Sequence, residues 1–314
     1  MLPTILTTLL FAISATCAGR TTRVLGGTEA NFWRITVATI LLGVCAHGFG
    51  NGFSGSALPY FLASGCVGFG IGDISLYQAL PRLGARLCMI LVHCIAAPFA
   101  AIIEWLWLGT QITPTQVCCG ILILGGVTLA LAPTNRISIS KTSLKAGIFF
   151  GTIAGCAQGF GAVLSRKAYL IAEISGEQIA TINGGITAAY QRIVAGWVLA
   201  ASCYLAVLLI AHTKRQNSVM SEQSKLPLCS RLTLVWPWLL GNALTGPSLG
   251  VSCFQWALST TPTAIVLPIV AVTPLVVIPF TRITEGDKPG FRSLAGSLLA
   301  VLGVVGLTWV RLRR

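Results

Sequence analysis

Charge is what this sequence has least of. Only 9% of its 314 residues are Asp, Glu, Lys or Arg, and the acidic ones number 8, where a soluble domain carries roughly 25% charged residues. A surface so poor in charge is solvated by lipid. Histidine is scarce too, at 3 residues, and no CxxC pair or HxxxH spacing occurs, so the usual donor sets for a metal are missing and no cofactor is expected. No GxxxxGK(S/T) phosphate loop is present, which argues against ATP-driven transport by this chain alone. The 11 cysteines fall mostly inside apolar runs, with Cys118 and Cys119 adjacent, and read as small buried hydrophobes rather than a disulfide framework. A net charge of +13 does not imply nucleic acid, because the 21 basic residues sit in short hydrophilic breaks and not along one face.

What is present is apolar length. Hydrophobic residues make up 54% of the chain and glycine contributes 34 residues, as expected of packed transmembrane helices. Runs long enough to span a bilayer lie at about 3–19, 32–50, 57–80, 85–108, 114–133, 145–165, 186–212, 234–258, 262–281 and 293–311. The fold class is therefore all-α integral membrane, with ten transmembrane helices. No basic residue precedes Arg20, so the first run lacks the positive start of a cleaved signal peptide and is expected to stay as the first helix. Turn chemistry marks the breaks at Gly26-Gly27, Pro81 to Gly84, Thr113-Pro114, Pro133-Thr134-Asn135 and Gly286-Asp287-Lys288-Pro289. Trp33, Trp105, Trp107, Trp236, Trp238 and Trp309 fall near run ends, at the depth an indole prefers. The longest polar break, 213–231, is expected to be a loop.

The chain repeats itself. Residues 68–80 read GFGIGDISLYQAL and 246–258 read GPSLGVSCFQWAL, matching Gly68, Gly72, Ala79 and Leu80 with Gly246, Gly250, Ala257 and Leu258. Pro98 then matches Pro274, Gly120 matches Gly296, and upstream Arg34 matches Arg192. Two units of five helices follow, 1–133 and 145–311, the second containing the 213–231 loop. An odd number of crossings inverts the second unit relative to the first, the arrangement of alternating-access carriers.

The run PFAAIIEWLWLGTQITPTQVCCGILILGGVTLAL at 98–131 and its partner PLVVIPFTRITEGDKPGFRSLAGSLLAVLGVVGLTW at 274–309 resemble the end of the EamA-type repeat of the drug/metabolite transporter superfamily. In that repeat a Pro-containing helix runs into an LGE-x-(I/L)-T turn and a glycine-punctuated last helix. Thr110 stands where the first repeat usually has Glu, while Glu285 aligns with that position in the second. The resemblance implies a cavity lined mainly by spans 1, 3, 4, 6, 8 and 9, and export or exchange of small metabolites in the cell (inner) membrane. A homodimer is a further candidate assembly.

Ionisable groups inside spans are costly and so mark function. Asp73 in span 3 and His93 in span 4 lie about nine residues either side of the Pro81 to Gly84 turn, at one depth on antiparallel neighbours, and are candidates for solute binding or proton coupling. Otherwise Asp73 caps a kink and His93 bonds a carbonyl. The second unit has Val251 where the first has Asp73. Glu104 is expected near the far interface, solvated or paired with a neighbouring helix. Arg34 and Arg192 start equivalent helices and read as snorkelling anchors, or as a cation pair at a cavity mouth. Gln158, Asn242, Gln255 and Trp256 are candidate solute contacts, although polar groups that hold helices together look alike in sequence. Gly151, Gly155 and Gly159, with Gly68/Gly72 and Gly246/Gly250, give helices flat stripes for close approach.

The leading reading is a secondary carrier of a small organic solute. A membrane-embedded lipid-modifying enzyme would need a reactive cluster that the sequence lacks, and a non-transporting scaffold or sensor is separated from a carrier only by flux. Of the 21 basic residues, 15 fall in breaks after odd-numbered spans, which places both termini outside and the 213–231 loop in the cytoplasm. The family resemblance implies the opposite orientation.

Overall fold

The computed structural model describes residues 1–131, 141–214, 228–276 and 291–312. In lipid a backbone must bond to itself, and among the described residues nearly everything is helix. The elements are α1 (Leu2–Leu25), α2 (Gly27–Phe49), α3 (Leu58–Gly65), α4 (Asp73–Leu108), α5 (Pro114–Leu131), α6 (Lys141–Ile174), α7 (Ile182–Lys214), α8 (Leu228–Ala243), α9 (Leu249–Thr260), α10 (Thr263–Val270) and α11 (Phe291–Leu312). Among the described residues, seven helical stretches are long and apolar enough to cross a membrane. Gly26 separates α1 from α2 at φ 79° and Gly109 ends α4 at φ 67°, a left-handed backbone that side chains oppose.

Two helices are interrupted at matching places. A π-helical turn at Cys66–Gly72 joins α3 to α4, and another at Leu244–Ser248 joins α8 to α9. Three glycines loosen the first, and Pro247, which lacks an N–H to continue the α pattern, lies inside the second. The expected break at Pro81 to Gly84 holds no coil, every residue of it being helical within α4. The chain reverses there all the same. Gly68 packs on Gly161 of α6, Gly72 on Ala157 and Gln158, and Gly147 on Leu83, yet Gly155 packs on Val92 and Ile95, and Gly159 on Ala96 and Phe99. On a straight helix Gly68 and Phe99 would lie about 46 Å apart; here both touch the same two turns of α6. Residues 58–80 therefore run antiparallel to α6 and residues 87–108 parallel to it.

The glycine stripes are the surfaces of these contacts. On α5 and α11 the closest approach is backbone to backbone, Gly126 against Gly296 and Ala300, with Gly303 against Cys119 and Ile123, so these helices are antiparallel. Helices α2 and α7 are antiparallel as well, through Thr36 and Trp197 (3.0 Å) at one level and His47 and Tyr190 (3.3 Å) at another. Large apolar side chains such as Val44, Leu106 and Ile121 face outward, each more than three-fifths exposed, as lipid contact requires. Three expected features lie outside the described residues: most of the 213–231 loop, the breaks at 133–135 and 286–289 with Glu285, and the end of the ninth span.

Candidate functional site

The polar residues gather where the π turns interrupt the helices. Asp73 is the first residue of α4, directly after the Cys66–Gly72 turn, and is buried. Its carboxylate accepts a hydrogen bond from Arg34 Nη2, forming a buried ion pair. Arg34 Nε also donates to Asn31 Oδ1 at 3.0 Å, and its guanidinium lies over the Tyr77 ring at 5.2 Å. The Tyr77 phenol in turn approaches the side chain of Asn242. Asn242, fully buried, accepts from Ser14 Oγ of α1 at 2.8 Å. One chain of contacts thus joins α2, α4, α8 and α1.

Arg192 on α7 is the second cation acting on Asp73, but it forms no ion pair among the described residues. It is 5% exposed, its Nε has no acceptor among the described residues, and its guanidinium lies 5.4 Å from the Phe69 ring. Gly68 makes room for it, since a Cβ there would come within 3.0 Å of Arg192 Nη2. Tyr169 of α6 is the other side chain coupled to this guanidinium, and its hydroxyl also lacks a partner among the described residues.

These positions correct two expectations. Arg34 and Arg192 are not interfacial anchors: α2 begins at Gly27 and α7 at Ile182, well before the apolar runs do, so both arginines stand inside the helices and point inward. Nor do Asp73 and His93 pair. Their chain neighbours Gly72 and Val92 lie beside the same turns of α6, at Ala157 and Gly155, but Asp73 turns to Arg34 while His93 Nε2 is buried with no partner among the described residues. Gln158 lies beside the π turn, its Cγ at 3.5 Å from where a Gly72 Cβ would stand. Gln255 is fully buried with both polar atoms unpartnered among the described residues, and Trp256 packs on Gly185 of α7. Neither is joined to Asp73 by a hydrogen bond among the described residues. Sequence reasoning missed Ser14, Asn31 and Tyr77, which are ordinary polar residues within or at the edge of apolar runs and carry no signal of their own.

Glu104 is not solvated. It is fully buried and accepts from Thr263 Oγ1 at 2.5 Å and from the Ala264 N–H at 3.2 Å, so it caps the start of α10. Arg166 Nε lies 4.0 Å away, and Arg166 Nη1 donates to the carbonyls of Leu258 and Ser259 at the end of α9, where a cation suits the helix dipole. This cluster clamps α4 and α6 to α9 and α10.

Comparison with known proteins gives three results. A family model described as the EamA-like transporter family matches residues 1–132 and again 145–309. No curated protein matches. A solved crystal structure is similar over 99% of this chain and 98% of its own, with a TM-score of 0.69 at 14% identity, a likeness of fold alone.

Proposed function

The chain belongs to the EamA-like transporter family, and from that premise we propose that it is a secondary carrier that moves a small organic solute across the cell membrane by alternating access. Membership makes it a multi-pass membrane transporter of the drug/metabolite type, with the bilayer and a small-molecule solute as its partners. The finer reading is ten spans in two inverted repeats, 1–133 and 145–311, working as an exporter or exchanger.

Paired contacts support the inversion. Gly68 and Gly72 receive α6 at Gly161 and Ala157, and their equivalents Gly246 and Gly250 receive α1 at Ser14 and Phe11. Span 6 thus meets span 3 as span 1 meets span 8. Gly155 meets Val92 and Ile95, and Thr8 meets the Ile269 carbonyl in the same relation. Exchange of such matched contacts is the motion that opens one side and closes the other.

The observation that carries the carrier reading is the buried Arg34–Asp73 pair beside a π turn, with Gln158 and Asn242 alongside. Charge held at such depth in a membrane chain is retained for a solute or ion pathway. The test is flux of a broad panel of labelled amino acids, organic acids, nucleosides and amines in liposomes holding the purified chain. Saturable, counterflow-stimulated uptake of at least one solute is expected. Flux no greater than in empty liposomes for the whole panel would favour the scaffold or enzyme readings.

A further inference from the structure

The charges in the buried cluster do not cancel. Arg34 and Arg192 contribute two positive charges and Asp73 one negative charge; Asp73 is committed to Arg34. Every other side chain named around them, Asn31, Tyr77, Tyr169, Phe69 and Asn242, is neutral. An unpaired guanidinium removed from water is strongly unfavourable even after relaxation, and a chain under no other demand would lose it. The residue equivalent to Asp73 in the second half is Val251, itself buried, so no second carboxylate completes the set among the described residues.

Building on the carrier reading, we infer that the solute is a small organic anion, a carboxylate or a phosphate ester, whose negative charge is held by Arg192. The planar guanidinium presents donors in a fork that fits both groups. The space at Gly68 lets the π turn's backbone lie against it, Phe69 supplies an apolar face 5.4 Å away, and the unpartnered Tyr169 hydroxyl supplies a further donor. Loading the anion brings the buried cluster to neutrality. Asp73 balances the charge of Arg34 throughout, so only one arginine is offered to the solute.

The experiment is thermal unfolding of the purified full-length chain in detergent, at constant ionic strength. The solutes are acetate, benzoate, malate, phosphate and glycerol 3-phosphate, matched against acetamide, benzamide, glycerol and choline. At least one anion is expected to raise the Tm saturably while its neutral match does not. Arg192→Gln should weaken that anion at least tenfold, Arg192→Lys should weaken it less, and unliganded Arg192→Gln should be as stable as the wild type or more so. An Arg192→Gln protein that unfolds earlier without solute would show the arginine to be structural and overturn the inference. So would stabilisation by a neutral or cationic solute equal to its anionic match, or no shift with any anion. Uptake of a neutral solute by liposomes, unchanged by Arg192→Gln, would sink the anion assignment and leave the carrier reading standing.

Discussion

Asp73 and Arg34 are 39 residues apart in sequence and share one buried ion pair. Removing one member of such a pair strands the other, typically at a cost of about 3–5 kcal/mol, whereas replacing both by apolar residues is often neutral. Asp73→Leu is therefore expected to lower the Tm of the detergent-solubilised chain markedly, and Arg34→Met with Asp73→Leu to restore most of it; an unrecovered double variant would show that Arg34 is held by something other than Asp73. Asp73→Asn keeps the shape and loses the charge. Uptake at matched incorporation should fall at least tenfold, more than expression falls, and unchanged uptake would reduce Asp73 to a packing residue. Asp73 stood out in the sequence as a lone carboxylate in an apolar run, and its burial follows from that. Its partner did not stand out, because Arg34 lies near the start of its apolar run and reads as an anchor until the helix is seen to begin at Gly27.

Among the elements, the sharpest constraint is the crossing of α5 and α11. A Cβ on Gly126 would stand 2.5 Å from the Ala300 nitrogen, a backbone atom that cannot swing away. Gly125, one residue earlier, would add its Cβ to open space. Gly126→Val should therefore force the helices apart and cost about 1–3 kcal/mol as overpacking, while Gly125→Ala should be neutral or slightly stabilising. Equal losses in thermal unfolding would mean that the crossing does not limit stability. The glycine stripes were legible because small residues four apart share a helix face. The π turns were not. Nothing in GFGIG or GPSLG distinguishes a glycine that admits a neighbour from one that lets the helix widen, and at Gly68 both uses coincide. The Pro81 to Gly84 signal marked the reversal of direction correctly, although no coil residue separates the two helical segments there.

For the whole molecule, the ordered matches between halves made a duplicated chain visible in the sequence, while which helix of one half meets which of the other emerged only from packing. Orientation is set by the basic residues, and it is checked at the short connection between α2 and α3. Ser54 is exposed there, and with both termini outside it faces the exterior, so a cysteine introduced at Ser54 should be modified in intact cells by a membrane-impermeant thiol reagent beyond the level of the parent protein. Protection until the cells are opened would reverse the assignment. The solitary carboxylate of the cluster has a last consequence. Two identical repeats related by a half-turn would make the inward-open and outward-open forms mirror roles of equal energy, like a seesaw with equal riders. With Asp73 on one half and Val251 on the other, the proposed carrier lacks that degeneracy: it is expected to idle on one preferred side, and the same solute to meet different apparent affinities at the two faces of the membrane.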